Sequence, residues 1–335
     1  MKKIFFSAAA LLALVCSCNK QEPIPSTDQN SYGELVISVQ QEVSTKTKAV
    51  TDYVTVLDDE KAEKSVTVMV FDAASGALNV SKTLAATTEE LTINVPTGEK
   101  TVYAVVNGPD LSGVSTVDQL LAVTDDLASS SIAADGFTML GTANCTVAKE
   151  TPASASITVS RLVSRVVLKN VTNSLPAAYG HMTIDAVYLG NANTVQTFAG
   201  VASVPVNIDG YADAAKAQPI GKNDVTGACP EYLYRAVGTD VNVGDSYTTV
   251  QHMYCQPNAT DEYTTMYILT TIGDNQYYYK VELDKKLSAN YTYSVEANIF
   301  NLGTDNPDDE LEKGSLSVNI TVADWVAGDN YNAEF

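Results

Sequence analysis

The sequence predicts an all-β chain of two tandem sandwich domains with one or two short helices, and three observations carry that expectation. Short runs in which apolar and polar residues alternate recur along the chain, with the period of a half-buried strand. Turn signals such as Gly273-Asp274-Asn275 separate them, the mark of hairpin-linked strands rather than alternating strands and helices. The chain has 335 residues, more than one ordinary domain, and is 45% hydrophobic with only 18% charged residues, which supports real cores and excludes a disordered polymer.

In chain order, residues 1–17 read as a signal peptide: Lys2 and Lys3 precede an apolar run that ends at Val15 and is too short to span a membrane. The residues Val15-Cys16-Ser17 before Cys18 have the form of a lipobox, with an aliphatic residue three back and a small one beside the acceptor. Cys18 is therefore the expected lipidation site and the lipid the expected link to the outer membrane. Residues 18–33 are polar, contain two prolines and read as a tether. The N-terminal domain is expected over 34–162. Its first strand, 34–43, alternates Leu35, Ile37 and Val39, and a break rich in Thr and Lys follows at 44–50.

Residues 64–72 alternate Val66, Val68 and Val70, and Ala73-Ala74-Ser75-Gly76 turns the chain. Leu91, Ile93 and Val95 form another strand ending at Pro96. A helix is expected over 116–127, with Thr116 as cap, Gln119 closing a capping box, and Val117, Leu120, Leu121 and Leu127 as the apolar stripe. Strand-like runs at 155–159 and 163–171 bracket the expected domain junction near 160–165. The C-terminal domain, 163–335, repeats the character through MTIDAVYLG, YTTMYILTTIG, YYYKVELD, YTYSVEANIFN and SLSVNITVADW.

Composition narrows the function. Against 20 Lys+Arg stand 40 Asp+Glu, a formal net charge of −20, which argues against binding a nucleic-acid backbone. Two histidines, His181 and His252, leave little for a metal site or a catalytic triad, and no phosphate-cradling motif occurs. Asp58-Asp59-Glu60 and Asp308-Asp309-Glu310 lack the spacing of a calcium loop and read as solvated acidic turns. Tyr277 and Tyr279 share one strand face and Tyr278 the other, so packing accounts for them. No catalytic residue, cofactor or metal site is expected. Once Cys18 is acylated, Cys145, Cys229 and Cys255 remain, and whether Cys229 pairs with Cys255 is not readable from sequence.

Several segments in this order resemble the fimbrillins, the major shaft subunits of the type V fimbriae of Bacteroidales. They are the lipobox at Cys18, ELVISVQQEVSTKTKAV, VMVFDAASGAL, VYAVVNGPD followed by TVDQLL, ITVSRLVSRVVLKNV and the C-terminal NITVADWVAGDNYNAEF. The resemblance implies two transthyretin-like sandwiches, a structural role without catalysis, and a trypsin-like protease that cuts in the basic break. Arg161 is the first arginine, so here cutting is expected after Lys46 or Lys48, a departure from members cut after arginine.

A sandwich stripped of one strand exposes backbone groups along an apolar groove that another chain's strand can fill. The strand lost on cutting carries Leu35, Ile37 and Val39. The candidate donor is the tail 315–335, in which Leu316, Val318, Ile320 and Val322 alternate, then Trp325, then Tyr331, Ala333 and Phe335. Expected partners are other copies of the chain, tip and anchor subunits, the protease and the outer membrane. A tip or anchor subunit, or a surface glycan-binding lipoprotein, fits the same export signals.

Overall fold

The computed structural model describes residues 31–42, 57–85, 87, 89–127, 136–201, 232–258, 263–283, 287–307 and 309–325. In the first half the elements run β1 (Tyr32–Gln41), α1 (Asp58–Lys61), β2 (Val66–Asp72), β3 (Leu78–Leu84), β4 (Leu91–Pro96) and β5 (Gly98–Val106). Then come α2 (Val117–Leu121), β6 (Thr124–Asp126), β7 (Met139–Val147) and β8 (Ala153–Arg161). The second half opens with β9 (Ser164–Asn173), β10 (His181–Gly190), β11 (Val195–Thr197), β12 (Tyr234–Asn242) and β13 (Ser246–Tyr247). It continues with β14 (Gln251–Cys255), β15 (Thr265–Ile272), β16 (Asn275–Glu282), β17 (Tyr291–Ile299) and β18 (Leu316–Asp324). The chain is all-β, built as sandwiches.

Alternating side chains explain the first layer. Seven strands follow the order β3-β2-β5-β7-β8-β1-β4. Between β7 and β8 only Met139↔Arg161 and Leu140↔Ser160 pair, so the sheet folds over there and its two parts face each other. The core between them joins Leu35, Ile37 and Val39 to Val66, Val68, Val70, Val102, Ile157 and Val159. On the other face of β2, Met69 and Phe71 pack with Leu111, Leu120 and Phe198.

In the second half β12-β10-β15-β16 faces β13-β9-β17-β18, with β14 also pairing β9. Met182, Ile184, Val187 and Leu189 of β10 meet Val166, Leu168, Val295 and Ala297 across the layer. β9 and β17 run parallel, whereas β17 and β18 are antiparallel from Tyr291↔Asp324 to Ile299↔Leu316.

Two expectations need correction. The first strand begins at Tyr32 rather than at 34, because Tyr32 and Gly33 still pair with Pro96 and Val95 of β4. It ends at Gln41, although the Glu42 amide donates to the Val159 carbonyl at 2.9 Å. The helix expected over 116–127 stops at Leu121. Thr124–Asp126 instead pairs with Val195–Thr197, a distant partner that local periodicity cannot reveal. Thr116 does cap the helix, accepting from the Gln119 amide at 3.2 Å, but the Gln119 side chain reaches back to the Ser115 amide at 2.8 Å, one residue earlier than a capping box places it.

Candidate functional site

β1 lies inside its sheet and not on an edge. It runs parallel to β8 from Leu35↔Ala153 to Gln41↔Val159 and antiparallel to β4 from Tyr32↔Pro96 to Ile37↔Leu91. Leu35 and Ile37 are fully buried and Val39 nearly so. Gly33 is required at the head of this strand, since a Cβ there would stand 2.1 Å from the Ala148 carbonyl oxygen. What β1 occupies is a one-strand slot with apolar pockets on one side and hydrogen-bonding edges on both flanks.

Just past its end lies a buried junction between the two halves. Glu60, on α1, accepts from Arg165 Nη1, from Tyr254 Oη and from the Leu57 amide, each at 2.7 Å. Burial, with the Glu60 carboxylate beside it, pushes the Tyr254 phenol far above its ordinary range, so it stays a donor. The Arg161 guanidinium donates to the Glu60 carbonyl at 2.8 Å through Nη2 and to the Trp325 carbonyl at 3.2 Å through Nη1. The carbons of the Arg161 and Arg165 guanidiniums stand 4.8 and 4.9 Å from the centroid of the Trp325 ring, within cation–π range. Tyr254 stacks on that ring at 5.7 Å and Phe137 meets it edge-on at 5.2 Å.

The candidate donor residues divide here. In β18, Leu316, Val318 and Ile320 are half-buried and Val322 is 49% exposed. Trp325 is fully buried in the junction. Tyr331, Ala333 and Phe335 lie outside the described residues, as do Cys18, Lys46, Lys48 and Cys229.

The acidic turn expected at Asp58-Asp59-Glu60 is corrected: Asp58 and Asp59 are exposed, but Glu60 is 1% exposed and locked in the junction. Of the second triplet, Asp309 and Glu310 are exposed and Asp308 lies outside the described residues. Tyr279 faces the main core of the second half, whereas Tyr278 belongs to an aromatic cluster with Tyr188, Tyr234 and Tyr267 on the other face. His181 is exposed, and burial holds the half-buried His252 below its ordinary pKa. Among the described residues, no three His, Cys, Asp or Glu side chains converge as a metal site would need.

The family described as major fimbrial subunit protein (FimA) matches residues 33–227, more than half of the chain and including all of β1 from Gly33 onward. The chain belongs to that family. Membership makes it a fimbrial subunit and places it at the cell surface in a fimbrium.

Solved structures agree on the fold of this family member. A fimbrilin from Porphyromonas gingivalis W83 is 16% identical, with 89% of this chain and 98% of that chain covered and a TM-score of 0.62. A candidate cell adhesion protein from Parabacteroides distasonis is 18% identical, covering 88% of this chain and 97% of that one at a TM-score of 0.65. Another from Bacteroides eggerthii is 19% identical, with coverages of 88% and 96% and a TM-score of 0.63. No curated protein sequence matches the chain.

Sequence reasoning missed the junction residues Glu60, Arg161, Arg165 and Tyr254 as a group. The available signal was the pair of arginines Arg161 and Arg165 at a strand junction in a chain poor in cations.

Proposed function

We propose that the protein is a shaft subunit, exported as a precursor acylated at Cys18, cut after Lys46 or Lys48, and polymerised by insertion of one subunit's C-terminal tail into the next. The observation that carries this reading is the position of β1. It is an interior strand, paired on both sides and with Leu35 and Ile37 fully buried, yet its only covalent link to the rest of the fold is the segment that follows Glu42. One cut there frees a whole strand and leaves β8 and β4 with unpaired edges, a state that a second strand relieves.

Refilling the three pockets of Leu35, Ile37 and Val39 is worth about 5–9 kcal/mol of gross burial, at ~1.5–3 kcal/mol for each side chain. Exchange is therefore near balance, and cutting makes it one-way. Because Trp325 is walled into the junction, the segment best suited to leave its own subunit is the one that follows, in which Tyr331, Ala333 and Phe335 alternate. Such a contact is head-to-tail and does not close on itself, so it propagates as a fibre. The burial of Trp325, the chain's only tryptophan, also removes the strongest aromatic platform that a glycan-binding role could have used.

N-terminal sequencing of subunits recovered from surface fibres tests the reading. A start at Thr47 or Ala49 is the expected result. An intact acylated Cys18 on fibre-associated protein would instead make the chain an anchor subunit or a glycan binder.

A further inference from the structure

Gln41, the last residue of β1, and Glu42 beside it do more than end a strand. Gln41 Nε2 donates to the Lys61 carbonyl at 3.2 Å and to Glu63 Oε1 at 2.5 Å, which fixes the far end of the short helix carrying Glu60. Glu42 accepts from Asn290 Nδ2 at 2.7 Å. Asn290 sits in the left-handed region at φ 62°, and its backbone carbonyl accepts from the Trp325 amide at 2.7 Å while its amide donates to the Val163 carbonyl at 2.8 Å. Its side-chain oxygen shares Arg161 Nη1 with the Trp325 carbonyl, at 3.4 and 3.2 Å. One residue thus ties the end of β1 to the root of the C-terminal tail.

The seat of Trp325 is itself imperfect. Its indole N–H is buried and finds no acceptor among the described residues, a cost that water would relieve if the ring moved out. Phe137, Tyr254 and the two guanidiniums hold the ring; of these, Tyr254 and Arg165 bond the Glu60 carboxylate, and Arg161 bonds the Glu60 carbonyl and the Asn290 side chain.

We propose that Gln41 and Glu42 form a latch, with Asn290 as its pivot, that keeps the Trp325 cage shut while the first strand is in place and loosens it when that strand leaves. Resting on the strand-exchange reading for its biological use, the latch makes donation conditional on processing. A precursor has its groove filled and its tail root clamped, so it neither accepts nor donates. A single cut at the N-terminus changes both properties, because the strand that fills the groove is the strand that braces the cage. The coupling runs through a bonded chain of four groups, Glu42, Asn290, Arg161 and Trp325, and not through distance alone.

Because Trp325 is the only tryptophan, its fluorescence reports the cage directly. Acrylamide quenching is compared between the uncut chain and a chain lacking residues 1–48, each shown to be folded by circular dichroism. Quenching that rises several-fold in the trimmed chain supports the latch. In the uncut chain, Glu42→Ala should raise quenching part of the way, whereas Glu42→Gln, which keeps an acceptor oxygen for Asn290, should not. Unchanged quenching in the trimmed chain, or Glu42→Ala behaving like Glu42→Gln, overturns it. Fibre formation is scored separately: an open cage without fibres upholds the latch and removes strand exchange, and fibres from a closed cage do the opposite.

Discussion

Tyr254 Oη donates to Glu60 Oε1 at 2.7 Å across a sequence separation of 194 residues, and both side chains are buried. Glu60 belongs to a four-residue helix that could not persist alone, and Tyr254 to β14, a strand of the second sandwich that pairs with β9. The bond, with the Arg165 ion pair at 2.7 Å beside it, makes the two halves share one polar core.

Removing that carboxylate should therefore be costly. Glu60→Ala leaves Arg165 without its buried anion and is expected to destabilise the chain by about 3–5 kcal/mol. Tyr254→Phe leaves Glu60 with two other donors and should cost about 0.5–1.5 kcal/mol. Urea denaturation of both variants checks the order, and equal costs would show that the tyrosine, not the ion pair, holds the junction.

A second ion pair sets acid behaviour. Lys100, 1% exposed, donates to Asp72 Oδ2 at 3.0 Å, and Ser75 donates to Oδ1 through its hydroxyl and amide. Lys100 first, then Ser75, hold the Asp72 carboxyl at about 2 against an ordinary 3.8. A depressed folded pKa gives stability that is complete above the unfolded value and lost as pH falls toward the folded one. The stability gap between wild type and Asp72→Asn should be widest near neutrality and close between about pH 4 and about pH 2. Thermal melts across that range measure it, and a gap independent of pH would exclude the pair as its source.

How much of this was legible in the sequence depended on range. Leu35, Ile37 and Val39 announce a strand because alternation is a local signal, and burial follows it residue by residue. Glu60 looked solvated because its neighbours are Asp58 and Asp59, while the partners that bury it are 105 and 194 residues away. The helix at Thr116 was legible at its cap and not at its end, since Thr124–Asp126 leaves the helical path for a strand contributed from residues 195–197. Trp325 read as part of an alternating tail. Nothing local says that a tryptophan after a strand will be clamped by two arginines more than 150 residues earlier in the chain, Arg161 at the end of β8 and Arg165 on β9.

The two free thiols among the described residues should separate cleanly. Cys255 is fully buried, and burial pushes its thiol up to about 12. Cys145 is half-buried and is raised by burial, with Lys100 pulling the other way. At mildly alkaline pH a thiol reagent should modify Cys145 in the folded protein and reach Cys255 only after denaturant is added. Peptide mapping after alkylation distinguishes them, and early labelling of Cys255 would mean that the second sandwich opens readily.

The first strand offers the sharpest test of its own fit. Gly33 faces the Ala148 carbonyl so closely that an added Cβ would lie 2.1 Å from the oxygen and 2.8 Å from Val147 Cγ1, and the oxygen belongs to backbone that cannot swing aside as a side-chain tip would. Gly33→Ala must therefore push the head of β1 away from the segment after β7 and weaken its pairing with Val95. The expected cost is about 1–3 kcal/mol, the range for a forced overpacking. At about 2–4 °C per kcal/mol for a domain of this size, the melting temperature should fall by roughly 2–12 °C. Gly113→Ala, where nothing stands within 4 Å of the new Cβ and φ is ordinary, controls for the added methyl and should melt close to wild type. Hydrogen exchange locates the damage. Amides pairing β1 with β4 should lose protection first, while those pairing β2 with β5 keep theirs. Uniform loss across the sheet would mean that β1 is an integral part of the domain's cooperative core, and a strand that cannot open by itself is a poor candidate for removal.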